Sequence, residues 1–172
     1  ILIMTKKDLC DIEKTNKWIK YYESLGYNVL LMDLTNNKDY KKLIGMTDNI
    51  TKDIQEKRMA KGLKKGDIKV LVIGVPNAGK STLINSLVGR SVAKTGNKPG
   101  VTKSISWLKT PYNILLLDTP GILWPKIDDK IVGLNLASTA AIKEEILPIV
   151  DIGTYILTFL QNNYPNILQE KY

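Results

Sequence analysis

Short apolar runs recur along this chain, and each ends abruptly in polar residues. Ile1 to Met4 is the first; it stops at Thr5-Lys6-Lys7-Asp8, the pattern of a buried strand entering a loop. In residues 11–25, Ile12, Ile19, Tyr22 and Leu25 share one face of a helix, with Gly26 as its stop. Val29 to Met32 predicts a second strand, and Asn36-Asn37-Lys38 a loop. Ile50 to Lys65 predicts a basic helix closed by Gly66. On it Lys57, Lys61 and Lys65 would fall on one side at four-residue spacing, either as an RNA-facing stripe or as the wet face of a connector. Ile68 to Ile73 is a third apolar run, followed by a glycine-containing octet and a helix through Leu87. Residues 91–104 are polar and carry Gly96, Pro99 and Gly100, so a mobile loop is expected there. Ser104 to Leu108 alternates weakly like a strand, and Ile114 to Leu117 is a further buried strand ending at Asp118. Beyond Pro125 the chain reads as helical to its end, with breaks near Pro148 and Pro165. Strands alternating with helices predict an α/β fold, a mainly parallel sheet with helices on both faces.

Composition narrows the chemistry. The 172 residues suffice for one domain with a sizeable core. A single cysteine, Cys10, allows no internal disulfide, and the absence of histidine removes His-based triads and His-ligated metals. The net charge of +8 fits a polyanionic partner such as RNA, or else simply a genome rich in Lys, Asn and Ile codons. The most apolar C-terminal stretch, Ile146 to Leu160, is interrupted by Asp151 and is short for a bilayer. No signal peptide is visible. The chain opens at Ile1, already inside an apolar run, which suggests a piece of a longer protein.

The octet Gly74-Val75-Pro76-Asn77-Ala78-Gly79-Lys80-Ser81 fits G-x-x-x-x-G-K-[ST] between a strand and a helix. Its glycines let the backbone N–H groups of Asn77, Ala78, Gly79, Lys80, Ser81 and Thr82 turn towards phosphate oxygens, and the helix adds its positive end. Lys80 is expected to bridge the β- and γ-phosphates and Ser81 to ligate Mg²⁺. Asp118-Thr119-Pro120-Gly121 fits D-x-x-G: Asp118 would hold Mg²⁺ through water, and the Gly121 N–H would sense the γ-phosphate. Between them, Thr102 of Pro99-Gly100-Val101-Thr102 is placed to complete the Mg²⁺ shell, with Thr95 and Ser104 as competitors. Lys80, Thr102 and Gly121 are therefore the residues expected to act on the γ-phosphate.

Guanine recognition needs a carboxylate facing the base N1–H and its exocyclic amine. The usual [NT]-K-x-D motif does not follow Asp118. Thr5-Lys6-Lys7-Asp8 stands upstream instead, directly after a strand. Asp8 would read the base, Lys6 would lie along it, and Asp33-Leu34-Thr35 would lie where a backbone N–H meets guanine O6.

This order, base motif before phosphate loop, resembles the circularly permuted GTPases. The wording resembles one branch most, the YlqF/RbgA ribosome-assembly GTPases of bacteria and their organellar relatives. Gly74 to Asn85, Ala93-Lys94-Thr95-Gly96, Pro99 to Thr102, Leu117 to Lys126 and Ala140-Ala141-Ile142-Lys143 carry the likeness, Trp124-Pro125-Lys126 most specifically. Thr5 stands where that family usually has Asn, and Leu31-Met32-Asp33 departs further. The resemblance implies a P-loop NTPase fold over residues 1–145 with a helical segment, 146–172, leading to a further domain. It implies GTP and GDP as ligands with Mg²⁺, slow intrinsic GTP hydrolysis, and K⁺ bound with help from Asn77. It also implies the large ribosomal subunit or its rRNA as partner, no DNA, no membrane, and a monomer. The setting would be the bacterial cytoplasm, or a mitochondrial or plastid matrix.

Ile122 occupies the position where Ras-like proteins carry the water-orienting glutamine, and an aliphatic chain cannot hold water. Slow turnover awaiting a partner or K⁺ is the expectation. The permuted order also leaves a gap between the base-motif strand and the phosphate-loop strand, with exposed edges and low stability expected. A small-molecule P-loop kinase is the competing reading, and ATP preference would favour it.

Overall fold

The computed structural model describes residues 1–89, 106–119, 127–142 and 147–166. Five strands and five α-helices are laid out in it: β1 (Leu2–Met4), α1 (Ile12–Ser24), β2 (Val29–Leu31), α2 (Asn37–Ala60), β3 (Ile68–Val72), α3 (Lys80–Val88), β4 (Ser106–Lys109), β5 (Ile114–Asp118), α4 (Lys130–Ser138) and α5 (Ile149–Asn163). The chain forms two compact units. One gathers Ile1–Val72, Gly79–Ala93 and Ile105–Thr119; the other gathers Ile73–Ala78, Lys94–Ser104 and Pro120–Tyr172.

In the first unit β1 and β2 pair in parallel, Ile3 opposite Leu30. β3 and β5 pair in parallel, Val70 opposite Leu116, and β4 returns antiparallel to β5, Leu108 opposite Leu116. Among the described residues no hydrogen-bonded ladder joins the two sheets, so the expected gap between the base-motif and phosphate-loop strands exists as a break in pairing. Side chains bridge it. Leu30 and Ile3 from one sheet, and Val70, Val72, Ile114, Leu116 and Leu108 from the other, share a core with Tyr40 and Leu43 of α2. Leu83, Ile84, Leu87 and Val88 of α3 enter the same core on one helical stripe. Each fully buried aliphatic chain there contributes about 1.5–3 kcal/mol. The opposite face of the β3–β5–β4 sheet is wetter, with Leu71 57% and Trp107 50% exposed. Lys69 lies over the Trp107 ring, 5.5 Å from its centroid.

The helices correct two expectations. Asn36-Asn37-Lys38 is not a loop: Asn36 caps α2, its side chain accepting from the Lys38 N–H, and the helix starts at Asn37. The helix predicted over Ile50–Lys65 is the second half of this longer α2 and stops at Ala60 rather than before Gly66. Gly62 takes φ 73° and donates its N–H to Met59, the left-handed exit that ends a helix. Gly66 has another task, gripped by Gln55 through Nε2 to its carbonyl and Oε1 from its N–H. Lys61 and Lys65 thus lie past the helix, and the predicted Lys57–Lys61–Lys65 stripe does not form on a helical face. α1 buries none of its residues, and Ile12 and Leu25 of its expected apolar face are exposed.

In the second unit α4 and α5 pack through Leu134, Ala137, Ile142 and Ile152. Asp129 caps α4, accepting from the Ile131 and Val132 N–H groups. No described helix is long and apolar enough to cross a membrane.

Candidate functional site

Two loops of the first unit converge on Gly79, where a third loop ends. The loop after β1 turns at Lys6, whose φ of 58° and ψ of 39° are left-handed, and makes a short 3-10 turn over Lys7–Leu9. The Lys7 N–H reaches the Met32 carbonyl at 3.4 Å, and the Met32 N–H donates to Met4 at 2.8 Å. Those bonds tie the Thr5–Asp8 loop to the end of β2. Lys6 and Asp8 are exposed and Thr5 is half-buried. The Asp8 carboxylate takes no hydrogen bond or ion pair among the described residues.

The second loop leaves β2 at Met32, which is fully buried. It is braced from within. The Asp33 carboxylate accepts from the Thr35 N–H at 2.8 Å and from the Thr35 hydroxyl at 2.7 Å, a local Asx-type turn. These bonds hold the Asp33 pKa below the ordinary carboxylate value. From α2, the Asp39 carboxylate accepts from the Asp33 N–H at 3.0 Å, and the Tyr40 hydroxyl donates to the Leu34 carbonyl at 2.8 Å. The Asp33 N–H is also the chief reason the Asp39 pKa is lowered, ahead of its bond to Lys42. Burial pushes the Tyr40 phenol up.

The third loop is the phosphate loop. β3 runs into it and α3 begins at Lys80, so Lys80, Ser81 and Thr82 form the first helical turn. N–H groups of a first helical turn point out of the helix end and attract anions. Gly79 precedes the helix at φ 93°, a left-handed position suited to glycine. A Cβ built on Gly79 would run into Leu34 Cδ1, with Thr5 Cγ2 3.9 Å away. Residues from the first loop and the second therefore lie against Gly79, where an added Cβ would have to displace the tip of the Leu34 side chain. Thr119, buried after β5, donates its hydroxyl to the Val72 carbonyl at 2.6 Å and so ties the start of D-x-x-G to the strand before the phosphate loop.

In the second unit, Asn77 sits at φ 54° and donates its Nδ2 to the Ala140 carbonyl at 2.7 Å. Ala140 itself is left-handed, φ 56°, where α4 ends: its N–H returns to Ala137 and that of Ala141 to Leu136. A non-glycine exit of this kind costs about 1 kcal/mol, which the Asn77 bond offsets. Ala78 belongs to the same unit.

β5 carries Asp118 as its last residue, opposite Val72. The Asp118 side chain, Thr102, Gly121, Ile122 and Thr95 and Ser104 lie outside the described residues. Among the described residues no three Asp, Glu, Cys or His gather into a metal site. A cation beside the Ser81 hydroxyl could complete its shell with water and nucleotide phosphate oxygens, an arrangement that suits Mg²⁺. The donor set thus suits a magnesium-bound nucleoside triphosphate. Asp39 and Tyr40 escaped sequence reasoning, and the bracing parts played by Thr119 and Ala140 were not read from their motifs, because no local motif marks a residue that acts by bracing another.

A strand, a loop ending in a left-handed glycine, and a helix N-terminus that follows at once define a P-loop nucleotide-binding protein. Family comparison makes this specific. Residues 69–170 match the family of 50S ribosome-binding GTPases, and the chain belongs to that family. It is 40% identical to Ribosome biogenesis GTPase A of Bacillus cereus over 100% of this chain and 58% of that protein. It is 30% identical to the mitochondrial protein Short integuments 2 of Arabidopsis thaliana over 93% of this chain and 43% of that one. The crystal structure of GNP-bound YlqF from T. maritima shares the fold, with a TM-score of 0.60 at 24% identity, over 94% of this chain and 58% of that one. The chain thus spans about three fifths of the length of the Bacillus cereus relative.

Proposed function

We propose that the protein is a guanine-nucleotide switch that hydrolyses GTP with water to GDP and phosphate while assisting assembly of the large ribosomal subunit. The observation carrying this reading is the meeting of Thr5, Leu34 and Gly79, which brings a base-reading loop against a phosphate loop. In it Thr5, Lys6 and Asp8 bind the guanine. Asn77, Ala78, Gly79, Lys80, Ser81 and Thr82 cradle the phosphates. Ser81, Thr102 and Asp118 hold Mg²⁺; Lys80, Thr102 and Gly121 act on the γ-phosphate; Asn77 is the K⁺ ligand. Residues 1–145 serve as the GTPase domain and 146–172 as a helical segment beyond it. The partner is the large subunit or its rRNA, met by a monomer in the bacterial cytoplasm or an organellar matrix. Family membership and the naming of the Bacillus relative support the ribosomal part.

Two measurements test this. Displacement of a labelled GDP by GTP but not by ATP is expected; equal displacement by ATP overturns guanine recognition and favours a kinase. Co-sedimentation of the intact protein with large subunits should be stronger with a non-hydrolysable GTP analogue than with GDP. Indifference to the nucleotide overturns the switch.

A further inference from the structure

We propose that the buried Asp39 is a positioning residue for guanine recognition, setting the loop after β2 so that the Leu34 N–H is the donor presented to the base O6. This deepens, and rests on, the guanine-binding reading above. The accounting of backbone donors carries it. In the turn 33–36 the Asp33 N–H goes to Asp39 Oδ2, the Thr35 N–H to Asp33 Oδ1 and the Asn36 N–H to the Asp33 carbonyl. Leu34 is left as the one residue of that turn whose N–H takes no acceptor among the described residues. Its own carbonyl is fixed by Tyr40 and its side chain lies against Gly79. The donor is thereby held from three sides, in the loop that touches the phosphate loop.

Asp39 is the pivot of this arrangement because it is 2% exposed and carries charge. Such a group is retained only with strong partners, here the Asp33 N–H and the Lys42 ammonium at 3.1 Å. It sits in the first turn of α2, where the helix end also favours an anion. Without it, the Asp33 N–H competes for whatever acceptor is near, and the 33–36 turn loses its outer anchor.

The test uses the intact protein and three nucleotides. GDP carries O6 and the exocyclic amine. IDP keeps O6 but lacks the amine. 6-Thio-GDP keeps N1–H and the amine but replaces O6 with a poor acceptor. Asp39→Ala should weaken GDP and IDP alike by roughly tenfold, the scale of one hydrogen bond, while 6-thio-GDP changes less than about twofold. Asp39→Asn keeps an oxygen for the Asp33 N–H and should restore most of the GDP affinity, although it loses the charge. Equal weakening of all three nucleotides means a merely structural role and overturns the proposal, as does no weakening at all. Should Asp39→Ala fail to fold, the wild-type amide spectrum decides. The Leu34 proton should move downfield with GDP and much less with 6-thio-GDP, and a Leu34 signal that ignores GDP refutes the assignment. A wild-type protein binding ADP as well as GDP overturns the guanine reading itself, an outcome separate from any behaviour of Asp39.

Discussion

Replacing Gly79 with alanine perturbs the point where the loops meet, and its cost can be built from two pieces. The first is backbone. At φ 93° an L-residue lies in the left-handed region, which costs about 1–2 kcal/mol. The second is contact. The new Cβ meets Leu34 Cδ1, the tip of a flexible side chain that can rotate away for about 0.5–1.5 kcal/mol. The backbone piece is the larger and cannot be relieved by repacking. Together about 2 kcal/mol is shared between lost stability and lost affinity, a roughly 30-fold effect if it falls wholly on binding. Calorimetric titration with GDP, read beside thermal melting of the free protein, measures both shares. Adding Leu34→Ala to Gly79→Ala separates the pieces: affinity should recover by no more than about tenfold, since only the contact is relieved. Full recovery in the double variant would refute the backbone argument. Wild-type affinity and melting in Gly79→Ala would refute the convergence of the loops altogether.

Other expectations follow from the same geometry. Asp33 and Asp39 have pKa values lowered by bonds present only in the fold, so their stabilisation is complete above the ordinary value of 3.8 and is lost as pH falls through the lowered values. Acid unfolding of Asp39→Asn should show a shallower pH dependence below that value than wild type, and an unchanged slope argues against the carboxylate's role. Asp8→Asn should weaken GDP roughly 10–100-fold, the scale of charge-assisted bonds, and gain affinity for xanthine nucleotides, measurable by competition; retained guanine preference counts against Asp8. Asn77→Ala removes the bond to Ala140 and should lower the melting temperature by roughly 2–4 °C, about 1 kcal/mol at this size. If Asn77 is also the K⁺ ligand, that variant should hydrolyse GTP equally in Na⁺ and K⁺, whereas wild type turns over faster in K⁺. Fast wild-type turnover in Na⁺ without ribosomal subunits would contradict the reading of Ile122.

Local signals located most of this protein and failed where tertiary contacts decide. Four of the five described strands were legible because each is a short apolar run closed by polar residues, from Leu2–Met4 to Ile114–Asp118, whereas β4 showed only as weak alternation. The phosphate loop was legible because its chemistry demands glycine, lysine and a hydroxyl at fixed spacing. The loop at Thr5 to Asp8 stood out only in combination, since those residues mean little without the strand before them. The extent of α2 was missed. Polar Asn36 and Asn37 look like a turn, yet the Asn36 side chain caps a helix that starts at Asn37 once Tyr40 and Leu43 have a core to enter. The lysine stripe failed for the converse reason, because a left-handed Gly62 ended the helix before Lys65.

The order of the motifs, Asp8 ahead of Lys80 and Asp118, belongs to the sequence alone, for it is a property of connectivity that no fold can alter. Composition and spacing likewise settled that the chemistry is phosphate binding without histidine or thiol clusters. Only the tertiary structure decided which residues hold the loops in place. Asp39, Tyr40 and Thr119 act across gaps in the chain of six, six and 47 residues through single hydrogen bonds. Such bonds depend on where β2, α2 and β3 come to rest. A periodic pattern specifies which face of an element is buried, but not which backbone amide a carboxylate on that face will meet.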